Sequence, residues 1–363
     1  MLLLGIISET LLYICFSVLF GSFIISLVPI SYRPDINIPK GALMLASGGI
    51  AILSFFPILQ LVLYLYHDIG LTQTLRSVIY TFEVGKAWIF TFLISNVLFI
   101  FVIWFDYRKR SLYAYIGIAF TLLLSLSLGW SSHASSIEQW KGFLTHTTHF
   151  LAVTIWIGLL IVVSWFSKNH SNWLSFLKWF SPVAIGCFLI TIVTGLVLMT
   201  FVMDLKDYAN SWPLPYGQAL LFKHLLIIPL LAYAFINSTL IKKKIKVGQN
   251  FNPRPWAKVE SIVILLIFSA TAALGQQSPP HETVVTSEGV SKIFTFFYQG
   301  QIQPDMMVQF VLNPQGLILL ILAGLLLFLA VFSFIKKAPP ILSFFLSILF
   351  VFSSYLSLIL SIQ

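Results

Sequence analysis

The sequence predicts an all-α polytopic transmembrane helix bundle of about ten spans. Of its 363 residues 58% are apolar and only 9% are charged, with a mean hydropathy of +0.95, a balance that rules out a water-soluble globule. The apolar residues come in long runs, and a helix needs about 20 of them to cross a hydrocarbon core about 30 Å thick. Most of the basic residues, finally, sit between alternate runs.

The runs cover residues 5–28, 42–66, 87–105, 112–130, 142–166, 181–203, 220–241, 259–275, 316–335 and 341–362. The first has no basic residue before Arg33, so it lacks the charged start of a signal peptide and is read as a retained helix. After the second, Leu71, Leu75, Val78, Ile79 and Phe82 are spaced as an amphipathic helix lying on the outer interface. The third run follows directly, and His133 sits at the end of the fourth helix, just before the fifth. The fifth carries His146 and His149 in its first two turns. The sixth holds Cys187 and ends on Met199 and Met203, and the seventh has Lys223 and His224 in its first turn. Loop 242–258 is basic and closes in a Pro-rich turn, Asn252 to Pro255, which reads as a topology determinant at the lipid headgroups. The eighth run opens on Glu260, read as capping the start of its helix. In the loop 276–314, Pro279 and Pro280 precede an aromatic stretch from Lys292 to Tyr298, either a short strand or an interface anchor. Two further runs close the sequence.

A net charge of +9 can indicate nucleic acid, so its distribution decides. With the N-terminus outside, fifteen of the 21 basic residues fall on the cytoplasmic side and nine of the twelve acidic residues fall on the outer side. The basic excess therefore reports orientation, with both termini outside and loops 106–111 and 242–258 inside, and a nucleic-acid partner is unsupported. The partner the composition does require is the lipid bilayer. Two cysteines, Cys15 and Cys187, both in apolar runs, supply neither a disulfide framework nor a zinc spacing.

Histidine carries the chemistry. Six of the seven, all but His170, fall on or near the outer side. His146 and His149 are spaced i, i+3, which puts both imidazoles on one helix face where they can share a metal, with His133 within a short loop's reach. His224 and His281 are second-tier ligands, and His67 is read as a surface residue. An interfacial histidine is as often a polar tip at headgroup level. Met199 and Met203 share a helix face, and thioether beside imidazole suits copper, above all Cu(I), better than harder cations. The bland alternative is that these methionines fill packing gaps. No run contains paired carboxylates. Cys15 and Cys187 are the possible relay residues toward the cytoplasm, each with inert packing as its alternative. No catalytic constellation is present, and the chain is read as non-enzymatic. A transmembrane haem carrier would need histidine pairs in both leaflets, and the inner side offers only His170.

The segment from His149 to Gly158, with Trp156 two residues before the glycine, resembles the signature of the copper resistance D (CopD) family of membrane proteins. Phe180 with Ser181, Thr194 with Gly195, and Tyr216, Gly217, Leu220, Leu221 and Lys223 are similar to later family motifs, as are Glu260 and the pair Pro279, Pro280. Upstream, Gly85, Ala87 and Trp88, and then Ser132, His133 and Ala134, resemble the family's "G.AW" and "GHA", with Ser132 in place of the glycine. The resemblance covers roughly residues 5–281 and implies a CopD-like membrane domain over 1–281, an outer loop 282–315 and a C-terminal helix pair 316–363, with no fused CopC domain. It also implies a bacterial cytoplasmic-membrane protein that handles copper, as Cu(I) or Cu(II), with an extracytoplasmic CopC-type protein as possible partner. The expected role is copper import through an outer histidine site formed by His133, His146 and His149, with His224, Met203 and His281 behind them. The alternative is a membrane copper chaperone or assembly factor that loads an extracytoplasmic cuproenzyme.

Overall fold

Hydrophobic length sets the number of spans, and polar signals set their ends. The computed structural model describes residues 1–248, 251–280, 289–303, 306–311 and 313–363, and among these ten helices are long and apolar enough to cross a membrane. The expected all-α polytopic bundle is the fold observed. The chain divides into two compact units, Met1–Phe201 and Val202–Gln363. This division falls elsewhere than the motif-based boundary at 281, because the last two long helices pack with those that begin at Pro215 and Arg254.

The first unit comprises α1 (Leu2–Leu27), α2 (Lys40–Leu53), α3 (Phe56–Ile69), α4 (Leu71–Tyr80), α5 (Glu83–Trp104), α6 (Ser111–Trp130), α7 (His133–Phe166) and α8 (Trp173–Thr200). The run 42–66 is one span broken at Ser54 and Phe55, where the Ser54 hydroxyl donates to the Ile50 carbonyl at 2.6 Å and Pro57 has no N–H to continue the ladder. The amphipathic segment is the helix α4, whose Thr74 and Val78 are fully buried. Helix α7 is the centre of the unit: Trp156 to Ser164 are buried without exception, and α1, α6 and α8 pack around it. A stretch that is apolar on every face, as Ile155 to Val163 is, belongs in such a position.

Close approach of α1 and α7 depends on small residues. Gly21 and Gly158 lie backbone to backbone, and a Cβ on Gly158 would run into the Ser17 carbonyl. Ser17 and Gly21 on α1, and Thr154 and Gly158 on α7, form two small-xxx-small pairs, the pattern by which apolar helices pack in lipid. Two turns nearer the N-termini, the Tyr13 and Phe150 rings meet edge to face at 5.8 Å. Both contacts have the same offset in sequence, so the two helices run parallel in a fixed register.

The second unit comprises α9 (Pro215–Phe235), continued by a π-helical turn Ile236–Leu240 and α10 (Ile241–Lys246), then α11 (Arg254–Gly275), α12 (Lys292–Phe297), α13 (Pro314–Ile335) and α14 (Pro340–Leu360). Its core joins Trp212, Leu221, Leu225, Phe294, Tyr355 and Ile359. The stretch from Lys292 is a short helix rather than a strand: the Ser291 hydroxyl accepts from the Ile293 amide at 3.3 Å, Phe294 is fully buried, and Ile293 and Phe296 are exposed. Glu260 does not cap its helix either. Helix α11 begins at Arg254, so Glu260 sits almost two turns inside it, buried, with the Asn237 amide donating to its Oε2 at 2.7 Å.

Candidate metal site

In the first unit two glycines set the geometry around the histidines. Gly129, in the last turn of α6, faces the Thr147 side chain so closely that a Cβ would collide with the hydroxyl. Gly142 leaves room for the Ala134 carbonyl, so the turn that begins at His133 folds back against the helix that follows. That fold-back is possible because α7 breaks at Glu138 and Gln139, the latter with φ of +26°. Ser132 caps the first turn, its hydroxyl accepting from the Ser135 amide at 3.2 Å. His133 is thus the first helical residue of α7 rather than the end of the preceding helix, and it is exposed, across the break from His146 and His149.

Trp130, Trp140 and Phe143 cluster with centroids 5.6 to 5.8 Å apart, and both indoles are exposed. Aromatic clusters of this kind mark a membrane–water interface, and His146 lies one turn beyond it.

His149 has the most defined setting. Its Nδ1 lies 3.0 Å from the Thr194 hydroxyl on α8. Thr194 has a single hydroxyl proton, which it donates to the Ile190 carbonyl at 2.6 Å, so the imidazole donates at Nδ1 and its lone pair resides on Nε2. Gly195 completes the arrangement, since a Cβ there would press on His149 Cε1 at 3.4 Å. The Thr-Gly pair singled out in the sequence is therefore the cradle of His149.

His146, half-buried, lies parallel to the Phe150 ring at 6.5 Å, and Phe150 in turn packs on Phe16 at 5.0 Å. The Tyr13 hydroxyl donates to Glu9. The α1/α7 register places Glu9 level with His146, so a carboxylate that composition assigned to the outer surface belongs to the end of the helix beside the histidines. Glu9, Tyr13 and Thr194 are the residues sequence reasoning missed. A signal existed only for Thr194, in the Thr-Gly motif.

Elsewhere the expected ligands are dispersed. In the second unit the Tyr208 hydroxyl and His224 Nδ1 are 2.7 Å apart, and burial pushes the Tyr208 phenol up to about 12, so it remains protonated near neutrality. Met203 is buried, and His281 lies outside the described residues. Cys15 packs beside Gly49 and Cys187 is half-buried, both as free thiols. His67, against the Tyr66 ring, and His170 are exposed. Among the described residues no three histidine, cysteine or carboxylate side chains are grouped to hold a metal. The arrangement thus provides a pair, His146 and His149, on one face of a buried helix near an interface.

Two family models match the sequence. One, described as Copper resistance protein D, covers residues 174–274, and the other, Copper resistance protein D-like, N-terminal domain, covers residues 1–143. No curated protein and no solved structure matches. The two segments together span about two thirds of the chain and include α1 to α6, the start of α7 with His133, and α8 to α11, while His146 and His149 lie between them. The chain belongs to the copper resistance protein D family, as a multi-pass membrane protein.

Proposed function

We propose that this protein takes up copper at the outer face of the bacterial cytoplasmic membrane and carries it inward, with both of its termini outside. The observation that carries the reading is the contact of His149 Nδ1 with the Thr194 hydroxyl, itself bonded to the Ile190 carbonyl: the hydrogen-bond pattern assigns the proton to Nδ1 and leaves Nε2 with the lone pair that a metal ligand requires. His146 supplies the second nitrogen one turn earlier, and His133 joins from the turn before the break. His224, Met203 and His281 are second-tier ligands, and Cys15 and Cys187 are relay residues. Neutral imidazoles bind copper without a permanent charge in the bundle, and an acidic outer face concentrates cations. No phosphate-cradling Gly-rich loop is found in the sequence, and inward movement of a cation is favoured by the membrane potential, at about 2.3 kcal/mol per charge per 100 mV.

Metal analysis of the purified protein, alongside copper accumulation in cells with and without it, tests this reading. Cells lacking the protein are expected to grow poorly when copper is scarce, and cells overproducing it to become copper-sensitive. Unchanged cytoplasmic copper with loss of metal from an outer cuproenzyme would transfer the function to delivery, the role of an assembly factor. Copper resistance on overproduction would reverse the direction.

The tautomer argument has its own test. Thr194→Val keeps the shape but removes the acceptor for Nδ1–H, and copper affinity is expected to fall about 10- to 100-fold, the usual cost of losing a partner behind a metal ligand. Thr194→Ser restores the acceptor and should stay near the parent. Equal affinities for parent and Thr194→Val would remove the role assigned to this hydrogen bond.

A further inference from the structure

Glu260 is the only buried carboxylate among the described residues, 3% exposed, and it lies inside a membrane-spanning helix. An ionisable group at such depth is costly and is retained where it has a task. Among the described residues its side chain pairs with Asn237, itself 7% exposed, whose Nδ2 donates to Glu260 Oε2 at 2.7 Å and to the Trp256 carbonyl at 3.3 Å. These two acceptors fix the amide orientation, because only Nδ2 can donate to both. Asn237 Oδ1 is then left buried with no donor. Asn237 sits in the π-helical turn Ile236–Leu240, a departure from α-geometry that recurs at functional positions.

Among the described residues Glu260 enters no ion pair. Three titratable side chains of the neighbouring helices are engaged elsewhere, and Lys223 of α9 lies about four turns from Asn237 along its own helix. From α9, the Tyr233 hydroxyl pairs with Ser343 and Ser347. From α14, the Tyr355 hydroxyl donates to Gln218. Lys244 of α10 lies over the Phe334 ring at 4.0 Å and bonds the Phe334 carbonyl. An ionised carboxylate with a single neutral donor would be left largely uncompensated. The orphaned Asn237 oxygen indicates what is missing. A proton on Glu260 removes the charge, and a protonated carboxyl on the side chain already bonded to the amide is the kind of donor that Oδ1 lacks.

We propose that Glu260 and Asn237 form a proton-binding site within the second unit, in which the glutamic acid is held neutral in an acid–amide pair. The balance is simple: one proton is taken up at the Glu260 carboxyl from water and returned to water, with no other bond made or broken. The site is independent of the copper ligands and stands whether the protein imports copper or delivers it. An all-oxygen set of one carboxyl and one amide is a poor copper site, which separates it chemically from the imidazole pair.

Infrared spectroscopy of the purified full-length protein in lipid, with and without ¹³C-labelled glutamate, tests the proposal. At neutral pH a protonated carboxylic acid C=O band that shifts with the label is expected. It should disappear in Glu260→Gln and move in Asn237→Leu, since loss of the amide partner changes the hydrogen bonding of the acid. A wild-type protein with no such band at neutral pH overturns the proposal, and this measurement needs no variant to fold. A band unchanged in Glu260→Gln overturns it by assigning the acid elsewhere, for instance to Glu9. Loss of the band on adding sodium at constant pH overturns it in favour of a metal cation held by the same oxygens.

Discussion

Gly158→Leu is expected to prevent assembly of the first unit. The α-carbon of Gly158 lies against the Ser17 carbonyl and the Gly21 backbone, and neither can turn aside as a flexible side chain would. One added methylene in a well-packed interior costs about 1–3 kcal/mol, and leucine adds four carbons where there is no room for the first. Total stabilities of about 5–15 kcal/mol leave little to absorb this. Gly158→Ala should lower the melting temperature of the detergent-solubilised protein, and Gly158→Leu should yield aggregated or degraded chains in size-exclusion profiles. Gly186→Leu on α8 is the control, because a Cβ there meets nothing within 4 Å. Equal behaviour of the two leucine variants would show that the α1/α7 contact does not hold the unit together. The glycine that closes the segment from His149 is then a packing residue, and the histidine that opens it is the one proposed as a ligand.

The spans were legible in the sequence because hydrocarbon thickness imposes a length that composition cannot disguise. Their ends were not. A hydropathy window stops where the first charges appear, whereas a helix continues into the interface for as long as its backbone hydrogen bonds are met. Helix α8 therefore starts at Trp173 and includes Lys178, although the apolar run begins at 181. Glu260 was misjudged for the same reason: its run seemed to open at 259, although Pro253 and Pro255 mark the true start near Arg254. The aromatic stretch from Lys292 has β-prone residues, and only the Ser291 cap signals a helix there.

The candidate site was legible in its residue types and not in its partners. Spacing alone puts His146 and His149 on one face of α7, and a window of sequence around them contains both. Thr194 lies 45 residues away from His149, and the register that places Glu9 level with His146 comes from glycines no ligand pattern would select. Asn237 and Glu260 are 23 residues apart on two helices, joined through a π-turn that hydropathy does not register. Side chains that buttress a ligand or bind a proton across helices are fixed by packing, which is decided far from either residue.

His149→Ala is expected to remove most copper binding. The variant deletes the imidazole whose Nδ1–H is committed to Thr194, and with it the best-positioned nitrogen of the pair. Loss of a direct ligand should exceed the loss of a partner behind one, so affinity should fall by at least about 100-fold, measured by competition with a Cu(I) chelator. The same change should abolish the copper sensitivity of overproducing cells. His67→Ala and His170→Ala remove exposed side chains and should leave binding intact. Acid should weaken binding in the parent, because an imidazolium has no lone pair to offer and the metal must displace a proton. Folding is controlled by the melting temperature: His149→Ala gives up the Thr194 hydrogen bond at a site near the end of the bundle, nine residues from the Gly158 crossing, so its stability should remain close to that of Thr194→Val. A His149→Ala protein that melts like the parent and still retains its copper would exclude this nitrogen as a ligand, and equal losses from His67, His149 and His170 would exclude a localised site.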